Sequence, residues 1–209
     1  MLELHPLFPD AFGYAHNQDL ITPNLVKTLS SVDRVANTFN GVSTNNRLFA
    51  NEEMKPVLSG IHDFIMGQLR NYYHLALGVT LDNCNPVITQ SWLTFTRRGE
   101  KMHGHRHPNS LVSGVFYINS VKTSDQLIFT KEATYKNFDW YPSPTSQYSG
   151  TEYIIPVQTG DLLLFKSGVH HHFNEVDHDE ERISLAFNTW LSGSFGLESE
   201  LTHINLTAN

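Results

Sequence analysis

The sequence has little of several features that would settle a function at once. It contains a single cysteine, Cys84, which excludes an intramolecular disulfide and disfavours a cysteine-based metal site. No apolar run approaches the ~20 residues of a membrane helix. The first twenty residues also lack the basic start and apolar centre of a signal peptide. We therefore expect a soluble, cytoplasmic protein that does not insert into a membrane.

Basic residues are scarce as well. Lys and Arg number 14 against 21 Asp and Glu, which gives a formal net charge of −7 at pH 7. No basic run is long enough to follow a phosphate backbone, so a nucleic-acid partner is not expected. The sequence carries no clear signal for an oligomeric state, which stays unknown at this point.

The first part of the chain has the periodicity of helices. The 209 residues, 40% of them apolar, suffice for one domain or for one domain with an N-terminal extension. Apolar residues recur weakly at helical spacing over 17–38 and strongly from 51 to 72, with Pro56 in the first turn. We predict that residues 1–85 form a helical extension that packs on the following domain.

After Pro86 the pattern becomes that of β-strands. Short runs rich in β-branched and aromatic residues are separated by Gly, Pro, Asn, Asp and Ser. At least six strands of this kind predict a sandwich or barrel over 86–195, with the helices outside and a polar tail at 196–209. The runs are 87–99, 111–119, 125–132, 152–157, 161–167 and 182–191. The aromatic, proline-containing stretch 133–151 is interpreted either as a lid over a site or as a packed structural loop.

Half of the twelve histidines lie in two short stretches, "HGHRHP" at 103–108 and "HHH" at 170–172. In an extended segment His105 and His107 project from the same side. Val169 and Phe173 favour the interior, and His171 shares their face. Two ligands two residues apart and a distant third can cap one face of a metal ion, and imidazole suits iron, zinc, copper and nickel alike. The alternative is that each cluster is a solvated patch.

The stretch "RISLAFNTW" at 182–190 separates into an apolar face and a polar face. The polar face carries Arg182 and, two residues later, Ser184. A guanidinium and a hydroxyl that point into a barrel can bind a carboxylate, because guanidinium binds carboxylate through two charge-assisted hydrogen bonds. The alternative is an ion pair between Arg182 and an acidic residue of "EVDHDEE" at 175–181.

These motifs together resemble a known family. The chain is similar to the 2-oxoglutarate- and Fe(II)-dependent oxygenases, in particular to a small branch with the patterns "HxHPNSxxSGVxY", "GDLxLF" and "H…RxSxxFN". These patterns occur here at 105–117, 160–165 and 171–188, and "PLFPDAFGY" near the N-terminus fits the same branch. The resemblance implies a double-stranded β-helix, the cupin-like jelly roll, as a mainly β fold with N-terminal helices.

The resemblance also implies an activity. Fe(II) would be the cofactor, and 2-oxoglutarate and O₂ the cosubstrates. Oxidative decarboxylation of 2-oxoglutarate to succinate and CO₂ would accompany hydroxylation of an unidentified small molecule or protein side chain. The protein's share of such chemistry is positioning and the exclusion of water.

The metal ligands implied by the resemblance follow from its motifs. His105 and His171 match the two histidine ligands of the family. His107 stands where most relatives of the wider superfamily carry Asp or Glu, which would leave the site one charge unit more positive. Other acidic residues could replace it as third ligand but lack the two-residue spacing; these are Glu100, Asp161 and Glu175.

The resemblance assigns the cosubstrate pocket too. Arg182 and Ser184 match the RxS pair that binds the distal carboxylate of 2-oxoglutarate, and Tyr117 matches a tyrosine that often hydrogen-bonds the same group.

Two other functions stay open. One is a cupin-like three-histidine metalloenzyme without 2-oxoglutarate, which would have no evident need for the RxS pair. The other is a non-catalytic jelly-roll binding or assembly protein, although a structural zinc site usually has four ligands.

Overall fold

A computed structural model describes residues 9–36, 42–44, 47–131 and 150–207, together with residues 3 and 5. The two α-helices in this part of the chain are α1 (Pro23–Ser30) and α2 (Met54–Leu77). The strands are β1 (Phe12–His16), β2 (Val35–Ala36), β3 (Val42–Ser43), β4 (Cys84–Thr96), β5 (Met102–His105), β6 (Val112–Asn119), β7 (Gln126–Thr130), β8 (Glu152–Pro156), β9 (Asp161–Lys166), β10 (His170–Phe173), β11 (Arg182–Phe195) and β12 (Ile204–Leu206).

The described strands form two antiparallel sheets that face each other. The large sheet has eight strands in the order β1-β9-β6-β11-β4-β3-β2, with β12 added beside β11. The small sheet has four strands in the order β5-β10-β7-β8. Several neighbouring strands are distant in sequence, as in a jelly roll, among them β1 and β9, β6 and β11, and β5 and β10. The mainly β fold with helices at its N-terminal side is therefore confirmed.

Helix α2 covers the outer face of the large sheet. Its buried residues recur at three- and four-residue steps, as the sequence pattern predicts, and they pack against apolar side chains of β6, β9 and β11. Pro56 lies in the first turn of α2, where its missing N–H costs no helical hydrogen bond. The helix ends at Gly78, whose φ of 67° is left-handed and favours glycine.

A second core lies between the two sheets and surrounds the predicted site. Because side chains alternate along a strand, β9 contributes to both cores: Leu162 and Leu164 face α2, whereas Leu163 and Phe165 face the small sheet. This explains why "DLLLF" is a continuous apolar run rather than an alternating one. Val169 packs at the edge of the inner core.

Each of the six runs predicted as strands overlaps one strand, and these strands are β4, β6, β7, β8, β9 and β11. Strand β4 begins before its run, and β11 continues past its run. The N-terminal segment holds the two helices but also strands β1, β2 and β3, which the helical periodicity did not predict. The boundaries 1–85, 86–195 and 196–209 remain a proposal. The stretch predicted as a lid or structural loop lies almost entirely outside the described residues. Within the described chain, no helix combines the length and apolar character needed to cross a bilayer.

Candidate metal centre and carboxylate pocket

Three histidines from the two sequence clusters converge at one end of the space between the sheets. In the small sheet β5 pairs with β10, and His105 stands opposite His171. One ring nitrogen from each of His105, His107 and His171 lies within 4.8 Å of the others. His107 is beyond the end of β5 and is held instead by its backbone N–H, which donates to the Ser167 carbonyl at 3.0 Å.

The hydrogen bonds of these rings orient them for metal binding. His105 Nδ1 lies 2.8 Å from the His103 carbonyl, and His171 Nδ1 lies 3.0 Å from the Val169 carbonyl. A carbonyl only accepts, so each Nδ1 carries the proton and each Nε2 keeps a lone pair. His107 Nε2 is 3.3 Å from His171 Nε2. Two nitrogens that each lie about 2.1 Å from one ion, with a right angle at the ion, are about 3 Å apart. The donor set therefore fits a metal ion.

Burial keeps these imidazoles neutral. It lowers the pKa of His171 to about 3 and that of His107 to about 4, and it lowers the pKa of His105 as well. The neighbouring imidazoles act in the same direction on His107 and His171. Aromatic rings supply the burial: Phe165 packs edge-on to His171 with centroids 4.6 Å apart, and Trp92 lies 5.9 Å from His107. Neutral imidazole is the form that binds a metal.

The other candidate ligands lie elsewhere. Asp161 accepts hydrogen bonds from Tyr14 Oη at 2.8 Å and the Gln158 backbone at 2.9 Å, which ties β1 to β9. Glu100 accepts from a backbone N–H at the start of its own turn, and Glu175 is exposed. Among the described residues no acidic side chain joins the three histidines in a metal-sized group.

The predicted carboxylate receptor is buried in the same inter-sheet space. Arg182 is 2% exposed and already has partners: Nη1 donates to Asp125 Oδ1 at 3.0 Å and to Asn174 Oδ1 at 3.2 Å, and Nη2 donates to the Asn174 carbonyl at 3.2 Å. Its carboxylate partner is thus Asp125 and not a residue of 175–181. These bonds use three of the five guanidinium hydrogens, which leaves donors for a ligand.

Tyr117 is the third residue predicted for this pocket. On the large sheet Tyr117 pairs in register with Ser184, so both side chains project from its inner face. Tyr117 is fully buried, and its Oη has no hydrogen-bond partner among the described residues. Burial raises the pKa of this phenol, and the positive charge of Arg182 opposes the rise. The ring of Phe173 packs 6.3 Å from Tyr117 and 5.4 Å from the Arg182 guanidinium.

Sequence reasoning named Arg182, Ser184 and Tyr117 but missed the residues that hold the arginine. Asp125 and Asn174 are isolated polar residues beside strands, and no local pattern marks them. Asp125 is fully buried and also accepts from Ser120 Oγ at 2.9 Å and the Val121 backbone at 2.7 Å. Asp125 begins an otherwise apolar strand run, and this is the one signal in the sequence that could have drawn attention to Asp125.

Comparison with known families identifies the β-domain. The family described as "Putative 2OG-Fe(II) oxygenase" matches residues 90–188, the segment that contains all three histidines and the buried arginine. Residues 90–188 are thus similar to this family, and they make up slightly less than half of the chain. No curated protein sequence matches the chain.

Solved structures share the fold over most of the chain. An oxidoreductase of the 2OG-Fe(II) oxygenase family from Burkholderia pseudomallei superposes with a TM-score of 0.56 at 10% identity, covering 85% of this chain and 83% of its own. HygX from Streptomyces hygroscopicus, with nickel and 2-oxoglutarate bound, has a TM-score of 0.53 at 13% identity and coverages of 86% and 82%. The epimerase SnoN, with Fe³⁺ and α-ketoglutarate, has a TM-score of 0.55 at 10% identity and coverages of 87% and 81%.

Proposed function

We propose that this protein is a 2-oxoglutarate-dependent Fe(II) dioxygenase that hydroxylates a small molecule or a protein side chain. The three clustered histidines would hold Fe(II), and the pocket around Arg182 would hold the distal carboxylate of 2-oxoglutarate. The observation that carries the proposal is the Tyr117 hydroxyl. A fully buried hydroxyl without a partner is costly, and this one lies beside a buried guanidinium in the space that ends at the histidines.

Each residue of the site has a defined task in this proposal. One ring nitrogen from each of His105, His107 and His171 would coordinate the ion. Fe(II), 2-oxoglutarate and O₂ would supply the oxidising chemistry, which ends in succinate, CO₂ and a hydroxylated product. The unused guanidinium hydrogens of Arg182 and the Tyr117 Oη–H would donate to the carboxylate, because charge-assisted bonds from buried donors are strong. The apolar rings of the inner core would exclude water from the site.

One observation favours the cupin-like alternative, a three-histidine metalloenzyme that does not use 2-oxoglutarate. Arg182 already pairs with Asp125, so the buried pair carries no net charge before any ligand arrives. In that alternative Arg182 would be a structural residue that neutralises a buried aspartate. The HygX and SnoN structures were both solved with 2-oxoglutarate, which is also called α-ketoglutarate. This supports the first proposal by analogy of fold.

The test is an anaerobic titration of the metal-free protein, first with Fe(II) and then with 2-oxoglutarate. A 2-oxo acid bound to Fe(II) gives a weak visible charge-transfer band, and we expect this band with the wild-type protein. We expect it to need much more 2-oxoglutarate in an Arg182→Met variant. Arg34→Met is the matched control, because Arg34 pairs with Glu181 outside the inter-sheet space.

The outcomes separate the candidate functions. A band that depends on Arg182 and not on Arg34 supports the oxygenase, and succinate formation in air then measures turnover. Bound Fe(II) without any band on addition of 2-oxoglutarate supports the three-histidine alternative. A protein that binds no iron contradicts the oxygenase and leaves a three-histidine enzyme with another metal or a non-catalytic binding protein.

A further inference from the structure

The family pattern contains polar residues to which the proposed chemistry gives no task. The stretch "HPNSLVSG" carries Ser110 and Ser113, and the C-terminal strand carries Asn188. None of the three belongs to the proposed ligands or to the carboxylate pocket. The structure places their side chains in one continuous hydrogen-bonded chain, which ends beside the backbone that holds His107.

This hydrogen-bonded series of side chains lies on the inner face of the large sheet. Asn188 Oδ1 lies 2.8 Å from Ser113 Oγ, Ser113 Oγ lies 2.8 Å from Ser167 Oγ, and Ser167 Oγ lies 2.7 Å from Ser110 Oγ. Asn188, Ser113 and Ser167 are at most 4% exposed. Gln90 closes the far end, because the Asn188 amide donates to its Oε1 at 2.7 Å. A buried polar network of this kind specifies one arrangement only when all members are satisfied, as they are here.

Ser167 links this network to two of the clustered histidines. Its carbonyl accepts the His107 backbone N–H at 3.0 Å, and its own N–H donates to the Leu111 carbonyl at 3.0 Å. The segment 107–111 is therefore fastened to Ser167 at both ends. Two residues after Ser167, the Val169 carbonyl bonds His171 Nδ1 at 3.0 Å. One short turn thus sets the position of the His107 backbone and the orientation of the His171 ring.

We propose that Ser110, Ser113, Ser167 and Asn188 form a positioning network that fixes His107, and with it the three-histidine metal centre. His107 needs such support because it lies outside any strand, unlike His105 and His171. Residues behind metal ligands that fix their orientation commonly affect affinity about 10- to 100-fold when they are removed. The inference rests on the proposed metal centre but is independent of 2-oxoglutarate.

The test compares two buried serines of the large sheet. Ser113→Ala removes the middle of the network. Ser91→Ala is the matched control, since Ser91 is 2% exposed and its Oγ accepts the Phe49 backbone N–H at 2.9 Å, on the other face of the sheet. Ser110→Ala, at the half-buried end, is a second network variant in case Ser113→Ala does not fold. Co(II), whose visible spectrum reports coordination geometry, serves as the probe metal, and thermal unfolding of the metal-free proteins is measured in parallel.

We expect Ser113→Ala to raise the Kd for Co(II) about tenfold or more and to change the Co(II) spectrum. Ser91→Ala should lower Tm by a similar amount but leave both the Kd and the spectrum unchanged. Equal Co(II) affinity and spectrum in wild type, Ser113→Ala and Ser110→Ala would show the network to be merely structural and overturn the inference. A wild-type protein that binds Co(II) but gives no band with Fe(II) and 2-oxoglutarate contradicts the oxygenase proposal alone. A wild-type protein that binds no metal overturns both.

Discussion

Replacing Tyr117 with phenylalanine removes one oxygen atom from the inside of the barrel and tests what that oxygen is for. In a metal-free protein the Tyr117 hydroxyl is fully buried without a partner among the described residues. A buried polar group in this state costs about 1–3 kcal/mol. We therefore expect the metal-free Tyr117→Phe protein to be more stable by about 1 kcal/mol, which raises Tm by roughly 2–4 °C for a chain of this size.

The same substitution should weaken 2-oxoglutarate binding. A hydrogen bond to a charged acceptor contributes about 1.5–3 kcal/mol, and 1.4 kcal/mol corresponds to a factor of ten in an equilibrium constant. The Kd for 2-oxoglutarate, read from the anaerobic Fe(II) titration, should therefore rise at least about tenfold. A variant that is more stable yet binds its cosubstrate less well is the expected signature of a hydroxyl reserved for a ligand.

Tyr73→Phe is the control for this prediction. Tyr73 is fully buried on α2, and its hydroxyl lies 2.9 Å from Thr189 Oγ1. Loss of that bond should destabilise the protein by about 1 kcal/mol and leave the Kd for 2-oxoglutarate unchanged. If Tyr117→Phe lowered Tm as Tyr73→Phe does and left the Kd unaltered, the hydroxyl would have a structural partner and the reasoning would be refuted.

Three further outcomes follow from the structure. Arg182→Met should cost about 3–5 kcal/mol in the free energy of unfolding, because it leaves Asp125 buried without its cation. The Arg182→Met/Asp125→Asn double variant should recover most of this loss, and equal urea midpoints for the single and the double variant would contradict this prediction. The metal-free protein should lose stability as pH falls from about 6.5 toward 4, by up to about 1.4 kcal/mol per pH unit for each of His107 and His171, because the unfolded chain binds protons there that the folded chain does not. Urea midpoints that stay flat over this range would refute the pKa directions. Gly114→Ala should destabilise by about 1–3 kcal/mol, since a Cβ there would meet the Phe187 ring at 2.3 Å, and an unchanged Tm would show that the ring can move away.

The strands and the inward histidine were predictable because each depends on local alternation. Val169 and Phe173 indicate the inner face of β10, and His171 shares it. The structure brings His107 into the histidine cluster, but strand alternation alone does not explain its place. It lies two residues past the last residue of β5, and its place depends on a hydrogen bond to Ser167, sixty residues away in the chain.

Contacts between distant polar residues could not be predicted from one sequence. The sequence suggests a partner for Arg182 among nearby acidic residues, whereas Asp125 is 57 residues earlier and directly precedes β7. Strand β1 was missed because "FGYAH" is short and only half-buried, so it has no apolar alternation strong enough to separate it from a loop. Both features depend on how the sheets assemble, and local patterns contain no information about that.

The strand order of the small sheet has a consequence for how the protein acquires its metal. His107 and His171 are 64 residues apart, and strands β6 to β9 lie between them in the chain. The centre therefore forms only after these long-range pairings, which are slow steps in folding. A nascent chain that has not yet added β10 offers two imidazoles and would hold a divalent ion only weakly. Metal binding at this centre would thus report that β10 has paired with β5, and the bound ion would stabilise that pairing against reopening.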